Sequence, residues 1–138
     1  MHSTSKTTYF LFYWAPALLF AAAIFWLSSR SGVPHLPGPT DKILHFGEFF
    51  VFSLLLWRAF AGELFGKFAL WRCIAVLLIG CAYALLDEVH QSFVPGRYAS
   101  IYDWFADVAG ILGMITLMLS RVKWRGGGGA VNYHYEKI

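Results

Sequence analysis

Asp41, His45 and Glu48 follow one another at steps of four and three residues. On a helix turning about 100° per residue they share an arc about 60° wide, which Phe52 continues. Asp103 and Asp107 are spaced in the same way, with Gly110 and Met114 extending their line. Between these two rows, Asp87, Glu88, His90 and Gln91 spread over about 160° of a helix and so address more than one direction. Asp87 and Gln91 point together at i and i+4, and Glu88 lies beside Gln91 at i+3. Carboxyl and imidazole groups gathered in this way can move protons, which makes Glu88 and His90 candidates for a general acid or base. Arg97 has the fork geometry that grips a phosphate or carboxylate in two places, and it can also stabilise developing negative charge. Lys42 stands beside Asp41 as a second cation. The candidate ligand-binding set is therefore Asp41, Lys42, His45, Glu48, Asp87, Glu88, Gln91, Arg97, Asp103 and Asp107.

The elements that must carry these residues are not those of a soluble protein. Of 138 residues, 58% are hydrophobic and 14% are charged, against about 45–50% and 25% in an ordinary soluble domain. This balance excludes a soluble enzyme. The stretch from Thr7 to Ser29 has no formal charge and is long enough to cross a hydrocarbon core, which needs about 20 helical residues. It also exceeds the 7–15 apolar residues of a cleaved signal segment, so it is expected to stay in place. Arg30–Thr40, with Pro34, Pro37 and Pro39 and two glycines, reads as a loop. Three more apolar segments follow. The expected fold is all-α, an integral membrane bundle of four helices at about 8–28, 41–61, 73–94 and 103–120, with the membrane domain over 7–125. Val94-Pro95-Gly96-Arg97 fits a type II turn closing the third helix. The glycine-led stretch 126–138 reads as a flexible cytoplasmic tail.

Charge orients the bundle. With four spans, Lys6, Arg58, Lys67, Arg72, Arg121, Lys123, Arg125 and Lys137 fall on one side, and only Arg30, Lys42 and Arg97 on the other. The positive-inside rule then makes both termini cytoplasmic. Because the basic residues sit at span ends, the net charge of +3 reports topology, and no nucleic-acid partner is expected. Six of the eight acids, Asp41, Glu48, Asp87, Glu88, Asp103 and Asp107, collect at the outer ends, where they need protons, cations or water. The tryptophans at 14, 26, 57, 71, 104 and 124 fall toward span ends and read as interface residues.

Two readings of the polar constellation follow. In the structural one, Lys42 or Arg97 pairs with the acids, the histidines donate to carboxylates, and the network fixes helix register. In the functional one, the helices converge on a pocket for a ligand or a reaction, the default meaning of intramembrane ionisable clusters. His45, His90, Glu48 and Asp87 offer donors suited to zinc or manganese. No H-E-x-x-H spacing supports them, so no metal and no cofactor is expected. Cys73 and Cys81 lie about 12 Å apart along one helix, too far for a disulfide. Small residues around Ala106-Gly110-Gly113 and Gly80-x-x-x-Ala84 allow close helix packing, within the chain or against a partner.

The motifs DKILHFGEFF, DEVHQSFVPGR and SIYDWFADVAGILG, spanning about residues 41–113, resemble in order and spacing those of the VanZ-like family of bacterial membrane proteins. One departure is Asp107, where the family pattern has Asn. A neutral group that donates and accepts is thereby replaced by one that, ionised, only accepts; Asp107 is then protonated or paired with Arg97 or Lys42. The resemblance implies a compact multi-pass protein of the bacterial cytoplasmic (inner) membrane, associated with teicoplanin tolerance and antibiotic resistance at the cell envelope. Together with the pocket it points to membrane lipid and to a lipid-linked cell-wall precursor or glycopeptide as ligand. An intramembrane hydrolase or transferase is the alternative.

The orientation is open to direct measurement. Green fluorescent protein fused after Ile138 is expected to fluoresce, and alkaline phosphatase inserted between Arg30 and Thr40 is expected to be active. The opposite pattern would invert the assigned sides.

Overall fold

The computed structural model describes residues 6–31, 39–61 and 70–127, with backbone only for Lys6 and for 122–127. Four helices are long and apolar enough to cross a membrane: α1 (Thr7–Ser28), α2 (Pro39–Ala61), α3 (Leu70–Gln91) and α4, of which Ile101–Arg121 is the spanning part of a helix that continues to Gly127. No strand occurs among the described residues. Residues 32–38 of the expected loop lie outside them, as do Glu63, Lys67 and the tail from residue 128.

The helix ends differ from expectation by a few residues, for local reasons. α2 opens at Pro39, because proline's fixed φ and missing N–H suit a first helical turn. α3 starts three residues early and stops at Gln91, short of Val94. There Ser92, Phe93 and Val94 bond back to Glu88, His90 and Gln91 in tightening turns, and Pro95 has no N–H to extend the ladder. The turn that follows has the expected form: the Arg97 N–H donates to the Val94 carbonyl at 3.0 Å, and Gly96 takes φ 83°. α4 opens two residues early because the Ser100 carbonyl already accepts from the N–H groups of Asp103 and Trp104. In α1 a π-turn at Phe10–Trp14 precedes Pro16. The wider turn relieves the clash between the proline ring and the preceding turn.

α2 and α4 run in the same direction and form the largest helix interface. Their approach is set by glycine. A Cβ on Gly110 would overlap the Phe46 carbonyl oxygen and crowd the Phe50 nitrogen, and one on Gly113 would press the Phe46 ring at 3.3 Å. Gly80 in α3 faces Ile111 of α4. Both small-residue faces are thus used inside the bundle.

Around this contact lies a core of Phe49, Phe52, Val76, Ile111, Met114 and their neighbours. Trp57 departs from the interface role expected of it: it is 1% exposed within the core. Its place on the inward stripe of α2, one turn beyond Ser53, outweighs the interfacial preference of its ring. Trp26 and Trp71 are exposed, as expected. α1 is the least buried span. It is held by Ala17 and Ile24 in the core and by the Tyr83 hydroxyl, which donates to the Ala21 carbonyl at 2.6 Å. Cys73 and Cys81 are free thiols. Large side chains such as Leu19, Ile43 and Leu78 face outward, toward lipid in a membrane.

Gly110→Ala is expected to destabilise the detergent-solubilised protein by about 1–3 kcal/mol, the cost of overpacking, read as a lower thermal midpoint. Gly47→Ala, with nothing within 4 Å of the new Cβ, is expected to leave the midpoint unchanged or raise it. Equal effects would remove the steric argument.

Candidate functional site

The start of α2, the end of α3, the start of α4 and the end of α1 all lie at one end of the bundle, and this end carries the polar constellation. Two polar contacts cross between α2 and α4, the first of them an ion pair. Lys42 Nζ contacts Asp103 and also lies 3.1 Å from Asp41. One turn deeper, His45 Nδ1 is 2.9 Å from Asp107 Oδ1. A step of three or four residues along both helices separates the two pairs, which is why parallel helices bring them into register. Asp103 and Asp107 are buried, His45 and Asp41 are half-buried, and Lys42 reaches the surface.

α3 divides its polar residues in two directions, as its wide arc requires. Glu88 turns toward α4, where its Oε2 accepts the Ser100 N–H at 2.7 Å, and it lies within electrostatic reach of His45 and Lys42. Asp87 turns toward α1 and accepts from the Ser28 hydroxyl at 2.6 Å and from the Gln91 amide at 2.8 Å. His90 leaves the cluster altogether. Its Nε2 is 2.9 Å from the Ser29 hydroxyl, and its ring lies 4.5 Å from that of Phe25. Half-buried Glu48 occupies the space between, near enough to interact electrostatically with His45, Asp87 and Arg97.

Two expected pairings are replaced. Asp107 pairs with His45, where Arg97 or Lys42 was expected: Lys42, one turn nearer the start of α2, is taken up by Asp41 and Asp103, and Arg97 is turned toward α1. Arg97 makes no ion pair with Asp103 or Glu88; its Nη2 donates to the Leu27 carbonyl at 3.0 Å. That puts a cation on the C-terminal end of α1, where the helix dipole favours positive charge. His45, Glu88 and Asp107 come together, with Lys42, Asp41 and Asp103 immediately above them. Asp87, Gln91 and His90 belong to a second network fastened to α1. Ser28, Ser29 and the Ser100 N–H were not anticipated. The only signal in the sequence was two hydroxyls closing an otherwise uncharged span.

Several buried polar atoms have no hydrogen-bond partner: Glu88 Oε1, Asp107 Oδ2 and Arg97 Nε among them. Such atoms cost about 1–3 kcal/mol each when left unpaired. They are also the groups that a bound ligand, ion or water would satisfy. Phe93, Tyr98 and Tyr102, which lie on either side of Arg97 in the sequence between the end of α3 and the first turn of α4, are exposed, and their flat, partly polar rings suit a membrane–water boundary. The arrangement offers fixed carboxylates and an imidazole below, a guanidinium at the rim, and apolar surface on the outside.

Comparison with known families matches residues 2–122 to the family described as VanZ/LLP1. No curated protein and no solved structure matches the chain. The match takes in all four spans and every residue of the polar end, and the chain belongs to the VanZ/LLP1 family of membrane proteins.

Proposed function

We propose that this protein binds an amphipathic molecule with an anionic head group at the polar end of its helix bundle, from the outer face of a bacterial cytoplasmic membrane. The ligand class is a lipid-linked cell-wall precursor or a lipid-bearing glycopeptide, and the consequence for the cell is tolerance to teicoplanin. The observation that carries this reading is the Arg97 guanidinium at this end of the bundle, its Nε buried and unpartnered, with exposed Phe93, Tyr98 and Tyr102 within five residues of it along the chain. A guanidinium fits a phosphate or carboxylate, and aromatic and aliphatic outer surfaces accept an acyl or prenyl chain. Family membership supports the envelope context, and the charge distribution supports the outward orientation.

A second reading rests on Glu88. One of its oxygens is fixed by Ser100 and the other is unpartnered, the arrangement of a positioned general base. In that reading Glu88 takes the proton of an attacking water or hydroxyl, and Arg97 stabilises the charge that develops on a phosphoryl or acyl oxygen.

One experiment addresses both. The purified protein in nanodiscs is incubated with a mixture of polyprenyl phosphates, lipid-linked cell-wall precursors and common phospholipids, and lipids are followed by mass spectrometry. Selective retention of the phosphate-bearing polyprenyl lipids is expected. Arg97→Ala should lower it about tenfold to a hundredfold, the worth of a charged hydrogen-bonded contact, while Glu88→Gln converts nothing differently. A new lipid product that disappears in Glu88→Gln would establish the catalytic reading. Retention no different from that of phospholipids would overturn the binding one.

A further inference from the structure

The polar end is strongly acidic, and its buried acids are unequally compensated. Asp41 and Asp103 share the Lys42 ammonium. Glu88 and Asp107 make no direct contact with a Lys or Arg among the described residues: their hydrogen-bond partners there are the Ser100 N–H and the His45 ring. Asp107 is 0% exposed and Glu88 5% exposed, and each retains one oxygen with no partner. Two carboxylates buried side by side with spare lone pairs call for a further positive charge.

We infer that His45, Glu88 and Asp107 form a binding site for a divalent transition-metal ion, zinc or manganese. One ligand atom from each residue lies within 4.8 Å of the others, so small side-chain movements bring all three onto one centre. His45 Nδ1 and Asp107 Oδ1, 2.9 Å apart, already have the separation of two ligands on one ion. That separation is about 2.9–3.4 Å for bonds of about 2.0–2.1 Å at angles between 90° and 109°. One imidazole and two carboxylates are a donor set that suits zinc and manganese better than a soft metal. The helices supply rigidity, since the ligands come from α2, α3 and α4, and Gly110 fixes the distance between two of them. A competing set, Asp41, His45 and Asp103, also lies within the same span, but Lys42 already occupies the space between its carboxylates. Sequence spacing gave no hint of the site because its ligands come one from each of three helices. Three protein ligands leave at least one coordination position for water or an anionic oxygen. An ion here would offset the repulsion between the acidic pocket and an anionic head group. That last consequence rests on the binding reading above; the ion site does not.

The test uses the full chain in nanodiscs, stripped with EDTA, dialysed against Zn²⁺ or Mn²⁺ and assayed by elemental analysis. Co²⁺ is used as an optical probe of coordination. About one ion per chain is expected, with a thermal midpoint that rises on metal addition. His45→Gln, Glu88→Gln and Asp107→Asn should each weaken binding at least tenfold, whereas Asp103→Asn and His90→Gln should retain it. Because a ligand variant can lose its fold, each is accepted only if its far-ultraviolet circular dichroism and metal-free melting match the metal-free parent. The Co²⁺ spectrum of the parent provides a readout independent of the variants. No stoichiometric ion on the parent, no Co²⁺ absorption, or retention unchanged in Glu88→Gln and Asp107→Asn would overturn the site. So would loss in Asp103→Asn equal to that in Asp107→Asn. Lipid retention is measured in parallel with and without EDTA, so that an ion bound without lipid selectivity refutes only the binding reading. Lipid selectivity with no ion refutes only the metal site.

Discussion

The contact of α2 with α4 at Gly110 sets the scale of everything at the polar end. Only a residue without a Cβ lets the Phe46 carbonyl come this close, and the pairs above follow from it: His45 with Asp107, then Lys42 with Asp103. Widening the gap by the width of a methyl group would pull both pairs apart together. It would also move Asp107 away from Glu88, which reaches in from α3 to the same point. A packing constraint one helical turn below the polar end thus fixes the chemistry above it.

Within lipid, apolar surface gains little by turning inward, because hydrocarbon tails are as apolar as leucine. Association then depends on close packing and on polar contacts between helices, which are worth about 0.6 kcal/mol each on average. The bundle follows this division. Its lower part fits by shape, with Phe49, Ile111 and Met114 fully buried. Its upper part is joined by side chains that cross between helices: α2 to α4 through Lys42 and His45, α3 to the start of α4 through Glu88, and α1 to α3 through Ser28 and Tyr83. Register alone does not explain the surplus of acid. A frame that needed only register would not leave Glu88 and Asp107 each with an unpartnered oxygen.

Much of this could be read from the sequence, and the reasons are uneven. The spans are legible because hydropathy and helix length are local properties, and the turn at Pro95-Gly96 is legible because those two residues admit few conformations. The grouping of Asp41, His45 and Glu48 on one face, and the split between Asp87 and Glu88, follow from the helical period alone. The partners do not. That Asp107 meets His45, and that Arg97 reaches the Leu27 carbonyl, depends on how far each helix is rotated about its axis. The sequence encodes that rotation only through distributed packing such as the glycine contact. Trp57 shows the same limit from the other side: a position near a span end suggested the interface, whereas the face it occupies buries it.

The uncharged character of α1 has a consequence for how the protein is made. A bilayer accepts this helix by itself as soon as it is synthesised, whereas α2 arrives carrying Asp41, Lys42, His45 and Glu48 at its end. Asp103, the acid of α4 that Lys42 contacts, lies 61 residues further along the chain. At about 5–20 residues per second, ribosomes take about 3–12 s to reach it. During that interval the polar residues of α2 lack their α4 partners Asp103 and Asp107, and Lys42 has Asp41 alone beside it. Maturation therefore ends with a docking step in which α4 draws those residues inward, and nascent chains halted before that point are the form that membrane quality-control proteases would meet.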